Sequence, residues 1–408
     1  MFFRRFVLHS LSRLKHGTLV VVMPDSTRRI YGGLYQGVEA EIRILDEGFF
    51  QRCVLFGGIG FAESFMAGEW ETPDITNVIA WFLLNTGSSV ARETEPPGTG
   101  LFNILNLVHR AIHRRRPNTL PKSGWNHRRH HDLGNDFFKL WLDPTMTYSS
   151  GYFDARETSL AAAQVRKYDH LCRKLHIVPS DEVLEIGSGW GGFSIHAAKH
   201  CRCRITTITI SEEQFAEASA RIQEAGLADR IEILLCDYRT IRGRFDKVVS
   251  IEMLESVGDR SVDGYFAKIH EVLKPRGLLA LQTILCPDRE YPAFRDGVDF
   301  IRKHIFPGAL LMSNARITEA MLASGDLNLL DYEDMAPHYA RTLRIWRKNF
   351  EAKLAEVRAM GFDDAFIRKW RYYFSYCEAA FGTRHITVAQ AVYSRPGNVA
   401  LPSPVYPG

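Results

Sequence analysis

The residues best suited to chemistry lie in a glycine-rich turn at positions 187–192, directly after a short apolar run, residues 183–186. A backbone that turns sharply from a strand into a helix beside a ligand needs residues without a Cβ atom. A helix-like segment, residues 193–200, and a second apolar run, residues 204–210, come next. This order predicts the first βαβ unit of a nucleotide-binding sheet.

Two details of this turn favour S-adenosylmethionine (AdoMet) over a dinucleotide as the ligand. A dinucleotide site has the spacing G-x-G-x-x-G and aims a helix N-terminus at the pyrophosphate, whereas the spacing here is G-x-G-x-G-G. Glu185, just before the first glycine, would repel a pyrophosphate but suits a cationic ligand that carries an amino group. Glycine turns also occur as plain structure, so the neighbouring segments must support the assignment.

A regular alternation of strands and helices around the turn predicts a mostly parallel sheet covered by helices. From residue 159 onward the predicted elements are a helix at 160–175, strands ending at 187 and 210, a helix at 212–225, strands at 230–237 and 245–253, a helix at 262–273 and a strand at 278–285. Ligands of such sheets bind beyond the carboxyl ends of the strands. The site is therefore predicted at residues 185–191, 209–214, 236–239, 252–256 and 282–284.

The chain on either side of this sheet has a different pattern. Strands are predicted at residues 18–23 and 40–44 and a helix at 75–84, and two helical runs near 343–357 and 366–381 are rich in aromatic residues. The aromatic runs are typical of helix packing, and they also suit a helical cap that shapes an apolar channel. A last strand is predicted at 386–394.

Composition limits the class of protein. With 408 residues, the chain is long enough for two or three domains, and no apolar run reaches the ~18 residues of a transmembrane helix. No small-residue cleavage site follows the N-terminal segment, so a signal peptide is not predicted. The seven cysteines form no C-x-x-C pair, which predicts reduced thiols, a cytoplasmic location and no metal site.

One basic segment stands out against the modest net charge of +4. Residues 96–131 contain no Asp or Glu but seven Lys or Arg and five His residues, with an amphipathic helix predicted at 101–113. Such a segment attracts a polyanion, either nucleic acid or an anionic membrane surface. A solvated linker is the equally ordinary interpretation.

Several segments resemble motifs of one known family. In chain order they are HDLGNDFF (131–138), MTYSS (146–150), LEIGSGWGGF (184–193), TISEEQ (209–214), DYR (237–239), IEMLESVG (251–258), IFPG (305–308) and HYARTLRIW (338–346). The chain thereby resembles the cyclopropane-fatty-acyl-phospholipid synthases, AdoMet-dependent enzymes that alkylate the double bond of unsaturated acyl chains in phospholipids. The similarity runs from about residue 125 to 395, with a further match at residues 60–70.

The resemblance implies a set of AdoMet-binding residues. Tyr148 and Ser149 would contact AdoMet, Gly187, Gly189 and Gly191 would pass along its methionine part, Thr209, Ile210 and Gln214 would hold the ribose, and Tyr238 would flank the adenine. The same residues also fit a helix start, because Ser211 has the position of an N-cap and Gln214 that of a capping-box residue. Both interpretations can hold together.

The resemblance also implies a catalytic set around a bicarbonate ion that acts as base. Its ligands would be Ser150, Glu255, Gln282, the backbone of Ile284, and Tyr339. The best-known members have cysteine at the first of these positions and histidine at the third. Glutamine keeps an amide donor but cannot carry a proton at neutral pH as histidine does. These departures leave the bicarbonate and the final product open.

The implied reaction begins with attack of an acyl-chain double bond on the AdoMet methyl group, which leaves a carbocation on the chain. Aromatic faces could stabilise that cation, and the candidates are Tyr148, Tyr152, Phe153, Tyr339 and Trp346. A base, oriented or assisted by Glu255, then removes a proton. Loss from the new methyl group closes a cyclopropane, whereas proton loss after a hydride shift gives a methylene branch.

The predicted fold class is α/β: a class I AdoMet-dependent methyltransferase (Rossmann-like) sheet with helical lipid-binding cap insertions and a small α+β N-terminal domain. The predicted domains are a lipid- or membrane-associated domain at 1–95, a basic linker at 96–131, a catalytic domain at 132–395 with its cap at about 338–382, and a tail at 396–408. The predicted partners are a phospholipid bilayer with unsaturated acyl chains, its anionic surface, and a second copy in a homodimer. The predicted location is cytoplasmic, peripherally associated with the inner face of the membrane.

Three other functions stay open at the level of sequence. One is a methyl- or methylene-branched product from the same chemistry, and another is a lipid-binding module without catalysis. Retention of Glu255, Tyr339 and the full glycine loop argues against the second. The third is a nucleic-acid methyltransferase, but the aromatic, apolar C-terminal region suits an acyl chain better than a flipped base, so no nucleic-acid partner is predicted.

Overall fold

The computed structural model describes residues 2–85, 133–154, 159–399 and 401. The helices are α1 (Phe2–Leu11), α2 (Gly48–Met66), α3 (Ile75–Asn85), α4 (Gly134–Lys139), α5 (Leu160–Lys174), α6 (Gly192–Cys201), α7 (Glu212–Glu224), α8 (Val262–Val272), α9 (Tyr291–Asp296), α10 (Asn314–Ser324), α11 (Ala336–Ala352), α12 (Leu354–Ala359) and α13 (Asp364–Gly382). The strands are β1 (His16–Val22), β2 (Arg28–Gly32), β3 (Tyr35–Ile44), β4 (Trp70–Glu71), β5 (Glu182–Ile186), β6 (Arg204–Thr209), β7 (Ile231–Leu235), β8 (Phe245–Ile251), β9 (Leu273–Leu285), β10 (Asn328–Asp334) and β11 (Thr387–Ser394).

The chain divides into two compact units, each built from several segments. The first unit is Met1–Leu142 with Cys286–Leu311 and Ala336–Thr387. The second unit is Asp143–Leu285 with Met312–Met335 and Val388–Gly408. The predicted boundaries at 95 and 131 and the basic segment with its helix lie outside the described residues, as do His131 and Asp132 of the first motif. The domain division of the sequence analysis therefore stays a prediction.

The N-terminal part of the first unit contains a small mixed sheet in the order β2-β1-β3-β4. Strand β1 pairs in parallel with β3 and antiparallel with β2. The sequence patterns predicted β1 and β3 but missed β2, because only Tyr31 of that edge strand is buried and no apolar alternation results. Helix α3 packs against β3 and β1, and the side chain of Trp81 is fully buried.

The aromatic runs of the C-terminal region form the helical core of the first unit. Helix α13 packs on α11, α3 and α2. Trp141 lies between Trp346 and Trp370, with ring centroids 5.5 and 5.7 Å away, and all three side chains are fully buried. Rings that fill a core in this way fit the helix-packing interpretation of the sequence pattern.

The large sheet belongs to the second unit and has the order β10-β11-β9-β8-β5-β6-β7. Strands β9, β8, β5, β6 and β7 are parallel, as predicted, and β10 runs antiparallel to β11. Strand β9 begins at Leu273 rather than at 278, and β10 was not predicted at all. Both misses have one cause: residues 274–276 and most of β10 are exposed or half-buried, so they lack a continuous apolar pattern.

Three further observations concern the described residues as a set. None of the described helices combines the length and the apolar composition that crossing a bilayer requires. All seven cysteines are free thiols, and Cys203 packs in the core of the second unit rather than in a metal pair. Within the described ranges, no three His, Cys, Asp or Glu side chains cluster closely enough to hold a metal ion.

Candidate active site

The predicted site residues of the second unit gather at one edge of the large sheet. Because β5, β6, β7, β8 and β9 are parallel, their carboxyl ends meet at that edge. Gly187 follows β5, Thr209 ends β6, Tyr238 follows β7, Glu255 follows β8, and Gln282 lies near the end of β9. The sheet therefore brings together side chains that are up to 95 positions apart in sequence.

The glycine-rich turn adopts the backbone conformation that its sequence predicts. Gly187, Gly189 and Gly191 have φ angles of 96°, 49° and 85°, all in the left-handed region. The N–H groups of Gly187 and Ser188 donate to the carbonyl of Ile208, 3.0 and 2.8 Å away, which ties the turn to β6. Apart from Gly189 itself and its two chain neighbours, no heavy atom of the described residues lies within 4 Å of the point where a Cβ of Gly189 would stand. A ligand therefore has room to approach this backbone, as AdoMet binding requires.

The segment that precedes α5 is held against this turn. Arg221 of α7 donates to the carbonyl oxygens of Thr145 and Trp190, each 2.9 Å away. The hydroxyl of Tyr168 bonds to that of Thr147 and lies where a Cβ of Gly192 would stand. These contacts place Tyr148, Ser149 and Ser150 beside the glycine turn, so the structure brings two of the predicted AdoMet-binding segments together.

Ser149 is held by two residues that the sequence analysis missed. Gln164 donates to its carbonyl oxygen at 2.9 Å, and the Nζ atom of Lys167 donates to its hydroxyl at 2.7 Å. Both side chains are fully buried on α5. The sequence could have revealed them, because these two polar residues lie on the same helical face as Leu171 and Leu175, where apolar residues are expected.

Lys167 is a buried cation with several carboxylates nearby. Burial lowers the pKa of this ammonium group to about 7, while the attraction of Glu252, Asp143 and Glu185 favours its charged form. Burial also raises the pKa of Glu185 to about 8, against a 2.6 Å hydrogen bond from Thr207. Glu185 therefore lies buried inside the sheet edge, where burial favours its protonated form and the attraction of Lys167 favours its charged form.

The residues implied for the ribose form one small cluster, with one correction to the sequence analysis. Ser211 caps α7 as predicted, because its hydroxyl accepts from the N–H of Gln214 at 3.3 Å. The predicted capping box does not form. Gln214 instead accepts a 2.8 Å hydrogen bond from the hydroxyl of Thr209, which itself accepts from the N–H of Ser211. Thr209 and Gln214 are thus paired beside the half-buried Ile210, and their role toward the ribose stays a prediction.

Tyr238 lies in a 3₁₀ turn, Tyr238–Thr240, that Asp237 caps. Both carboxylate oxygens of Asp237 accept from the Arg239 guanidinium, at 2.7 and 2.6 Å. The ring of Tyr238 meets that of Tyr265 edge-on, with 5.1 Å between centroids. Burial raises the pKa of Tyr238, so the side chain stays neutral and offers an apolar face.

Glu255 lies in a 3₁₀ turn, Leu254–Ser256, which follows the end of β8 after two intervening residues, Glu252 and Met253. Its Oε1 atom accepts from the N–H of Ile284 at 2.5 Å and from the hydroxyl of Thr283 at 3.1 Å. Its Oε2 atom is buried and has no hydrogen-bond partner in the described part of the chain. Burial, and secondly the nearby Glu252 carboxylate, raise the pKa of Glu255 to about 7.

Ser150 and Gln282 are joined by Glu252, which lies in the predicted site segment 252–256 but had no role assigned to it. Its Oε1 atom accepts from the N–H of Ser150 at 2.9 Å and from the Nε2 atom of Gln282 at 2.7 Å. Glu252 has a φ angle of 49°, and left-handed strain in a residue other than glycine is frequent at functional sites. On its other side, Gln282 accepts a 3.0 Å hydrogen bond from Gln390 of β11. Gln390 gave no motif signal, because only β11 pairing with β9 brings it near.

The remaining implied residues are placed as follows. Tyr339 belongs to the first unit, where it lies buried on α11 with its ring stacked on that of Phe381, 4.4 Å between centroids. In the second unit, Tyr152 donates to Glu333 at 2.7 Å and stacks on His170, while Phe153 is buried.

The fold and the glycine turn define a class I AdoMet-dependent methyltransferase. The mycolic acid cyclopropane synthase CmaA1, solved in complex with SAH and CTAB, superposes with a TM-score of 0.62 at 28% identity, over 67% of this chain and 98% of that chain. Coclaurine N-methyltransferase, at 19% identity and a TM-score of 0.61, shares the fold over 83% of this chain. The predictions of fold class, of an enzyme and of AdoMet as cofactor are confirmed.

Residues 120–391 match the family model for mycolic acid cyclopropane synthetase, and the chain belongs to this family. Tuberculostearic acid methyltransferase UfaA1 of Mycobacterium tuberculosis is 38% identical over 84% of this chain and 80% of its own length. The cyclopropane-fatty-acyl-phospholipid synthase of Escherichia coli is 33% identical over 87% and 88%. The predicted family is confirmed, and membership places the protein among AdoMet-dependent enzymes that modify fatty acids.

Proposed function

We propose that this protein transfers the methyl group of AdoMet to the double bond of an unsaturated acyl chain in a membrane phospholipid and closes a cyclopropane ring. The observation that carries the proposal is the position of Glu255. Its turn adjoins the glycine loop, because a Cβ at Gly187 would stand 3.1 Å from the Cγ atom of Met253. A buried carboxylate, one oxygen of which has no hydrogen-bond partner among the described residues, thus lies beside the segment proposed to bind the methyl donor.

The chain's own residues would bind and orient the methyl donor. Gly187, Gly189 and Gly191 offer an open backbone, Thr209 and Gln214 a paired hydroxyl and amide, Tyr238 an aromatic face, and Tyr148 and Ser149 a segment held by Lys167. Bound there, AdoMet supplies an electrophilic methyl group. Precise placement of the double bond would provide much of the rate, since alignment of reactants is worth several kcal/mol.

A second product is favoured by a specific observation. UfaA1, named a tuberculostearic acid methyltransferase, is more similar to this chain than the Escherichia coli cyclopropane synthase is, at 38% against 33% identity. After a hydride shift has moved the positive charge to the carbon that bears the new methyl group, the same methylated chain would lose a proton from that methyl group and carry a methylene branch. The two products are isomers, so mass spectrometry alone does not separate them.

The test is product analysis by proton NMR. The purified protein is incubated with AdoMet and vesicles of a monounsaturated phospholipid, and the acyl chains are then extracted. Strongly upfield ring protons are expected for a cyclopropane, and olefinic methylene protons for a branched chain. Unchanged double-bond signals, with AdoMet intact, would contradict the proposal for either product.

The acyl substrate also implies contact with a membrane. We propose peripheral association with the inner face of an anionic bilayer through the basic segment 96–131, which has the composition for electrostatic attraction. A homodimer stays a prediction that these observations do not address.

A further inference from the structure

Three of the donors that would hold a bicarbonate ion are already engaged by the protein's own carboxylates. The N–H of Ile284 donates to Glu255, 2.5 Å away. The amide of Gln282 and the N–H of Ser150 donate to Glu252, 2.7 and 2.9 Å away. An anion needs such donors, and two glutamates on the same side of the site compete for them. The described residues of the second unit therefore do not fit a bound bicarbonate.

The amide of Gln282 is locked in place at both ends. Its Oε1 atom accepts from Gln390 at 3.0 Å, while its Nε2 atom donates to Glu252 and to the carbonyl oxygen of Ser150, 3.4 Å away. Gln282 and Gln390 are both buried. Turning the amide to face an anion would break three hydrogen bonds in a dry environment, where each unmade bond is costly.

Glu255 has the features of a proton acceptor. One of its oxygens takes both hydrogen bonds, from Ile284 and Thr283, which hold the carboxylate in place. The other oxygen is buried and has no partner among the described residues. The raised pKa of about 7 gives this group the basicity that proton abstraction near neutral pH requires.

We propose that Glu255 itself, through Oε2, is the base of the reaction and that this enzyme turns over without bicarbonate. This inference rests on the proposed function. A C–H bond of the newly added methyl group breaks, its electron pair forms the last C–C bond of the ring, and the proton passes to Oε2. For a methylene branch, a hydride first shifts so that the positive charge lies on the carbon that bears the new methyl group, and the same electron pair then forms a C=C bond. The proton leaves to solvent before the next turnover, and neither route needs an oxidant or a reductant.

The first experiment measures turnover of the wild-type protein in carbon-dioxide-depleted buffer, with and without added sodium bicarbonate. The substrates are AdoMet and vesicles of a monounsaturated phospholipid. We expect initial rates that agree within about twofold, because no step uses the ion. Product formed only in the presence of bicarbonate would overturn this inference alone. Absence of product in both buffers would overturn the proposed function and the inference with it.

The second experiment replaces the base while keeping its shape. Glu255→Gln retains an oxygen that can accept from Ile284 and Thr283, so the fold and AdoMet binding should survive. We expect kcat to fall at least about a hundredfold, with no rescue by bicarbonate and little change in the AdoMet Kd. Full turnover of this variant, or its rescue by bicarbonate, would refute the role.

The pH dependence of kcat distinguishes a catalytic role of Glu255 from a purely structural one. The groups that face Glu255 are Glu252, whose charge raises its pKa, and Tyr265, which burial keeps protonated. Only the carboxylate form accepts a proton, so kcat should rise with pH through about 7. Thr283→Val removes a hydrogen bond that favours the carboxylate, and we expect the acid limb to move up by about one pH unit. Thr283→Ser is the matched control, and an unmoved limb in Thr283→Val would count against the base.

Discussion

At the scale of single residues, buried charge organises the site. Lys167 is the cation that Glu252, Asp143 and Glu185 share, and its ammonium also holds the hydroxyl of Ser149. A buried charge is tolerated when partners surround it, and removal of one member leaves the others uncompensated. The segment proposed to bind AdoMet and Glu252, which holds Ser150 and Gln282, are thus coupled through one side chain.

This coupling leads to a stability prediction for Lys167→Met. The substitution keeps the apolar stem but leaves three carboxylates without their counter-charge. We expect the free energy of unfolding to fall by about 3 kcal/mol, measured by urea denaturation at neutral pH. Arg173→Met on the same helix is the matched control, because this side chain is exposed and its loss should cost under about 0.5 kcal/mol. Equal free energies of unfolding for the two variants would show that the charge of Lys167 does not stabilise the fold.

At the scale of elements, the turn between β5 and α6 allows the effect of a left-handed backbone on stability to be distinguished from the effect of ligand contact on binding. Gly189 has a left-handed φ and open space around its absent Cβ. Gly226, after α7, has the same two properties, with a φ angle of 66°, but no implied contact with AdoMet. The pair therefore provides an internal comparison for the role of the turn.

Gly189→Ala and Gly226→Ala should cost similar stability, about 1 kcal/mol each, because both place a Cβ on a left-handed backbone. Only Gly189→Ala should weaken AdoMet binding, with a Kd at least about tenfold higher, since its methyl group would occupy the ligand's side of the turn. Isothermal titration with AdoMet measures the difference. An unchanged Kd for Gly189→Ala would exclude this turn from the cofactor site.

At the scale of the whole molecule, the proposed phospholipid substrate must be reached from a membrane surface. The proposed contact is the basic segment 96–131, in which seven Lys or Arg residues stand without a single acid. Each basic residue near an anionic bilayer contributes about 1 kcal/mol, and salt screens this attraction within roughly a 10 Å Debye length at ordinary ionic strength.

We therefore expect binding to anionic vesicles that weakens as salt is added, measured by co-sedimentation. Replacing Arg114, Arg115 and Arg116 together by Gln should reduce this binding while leaving the AdoMet Kd unchanged. Neutral vesicles serve as the control. Equal binding to neutral and anionic vesicles at high salt would contradict an electrostatic contact.

Much of the architecture was predictable from local pattern. The parallel strands β5, β6 and β8 are short apolar runs between helical segments, and burial on both faces produces that pattern directly. The left-handed turn at Gly187, Gly189 and Gly191 was also predictable, because glycine adopts positive φ angles far more readily than any other residue type. The exposed strands β2 and β10 were not predicted, because an exposed strand has no regular pattern of apolar residues.

The network around Gln282 depended on the tertiary structure instead. Gln390 lies 108 positions after Gln282 in the chain, and Ser150 lies 132 positions before Gln282. Only the order of strands in the sheet makes these residues neighbours. A motif identifies residue types at fixed spacings, and from it Glu255 and Gln282 could be named as site residues. Which donor a carboxylate takes, and which oxygen it leaves open, depends on distances and angles between elements that local pattern does not encode.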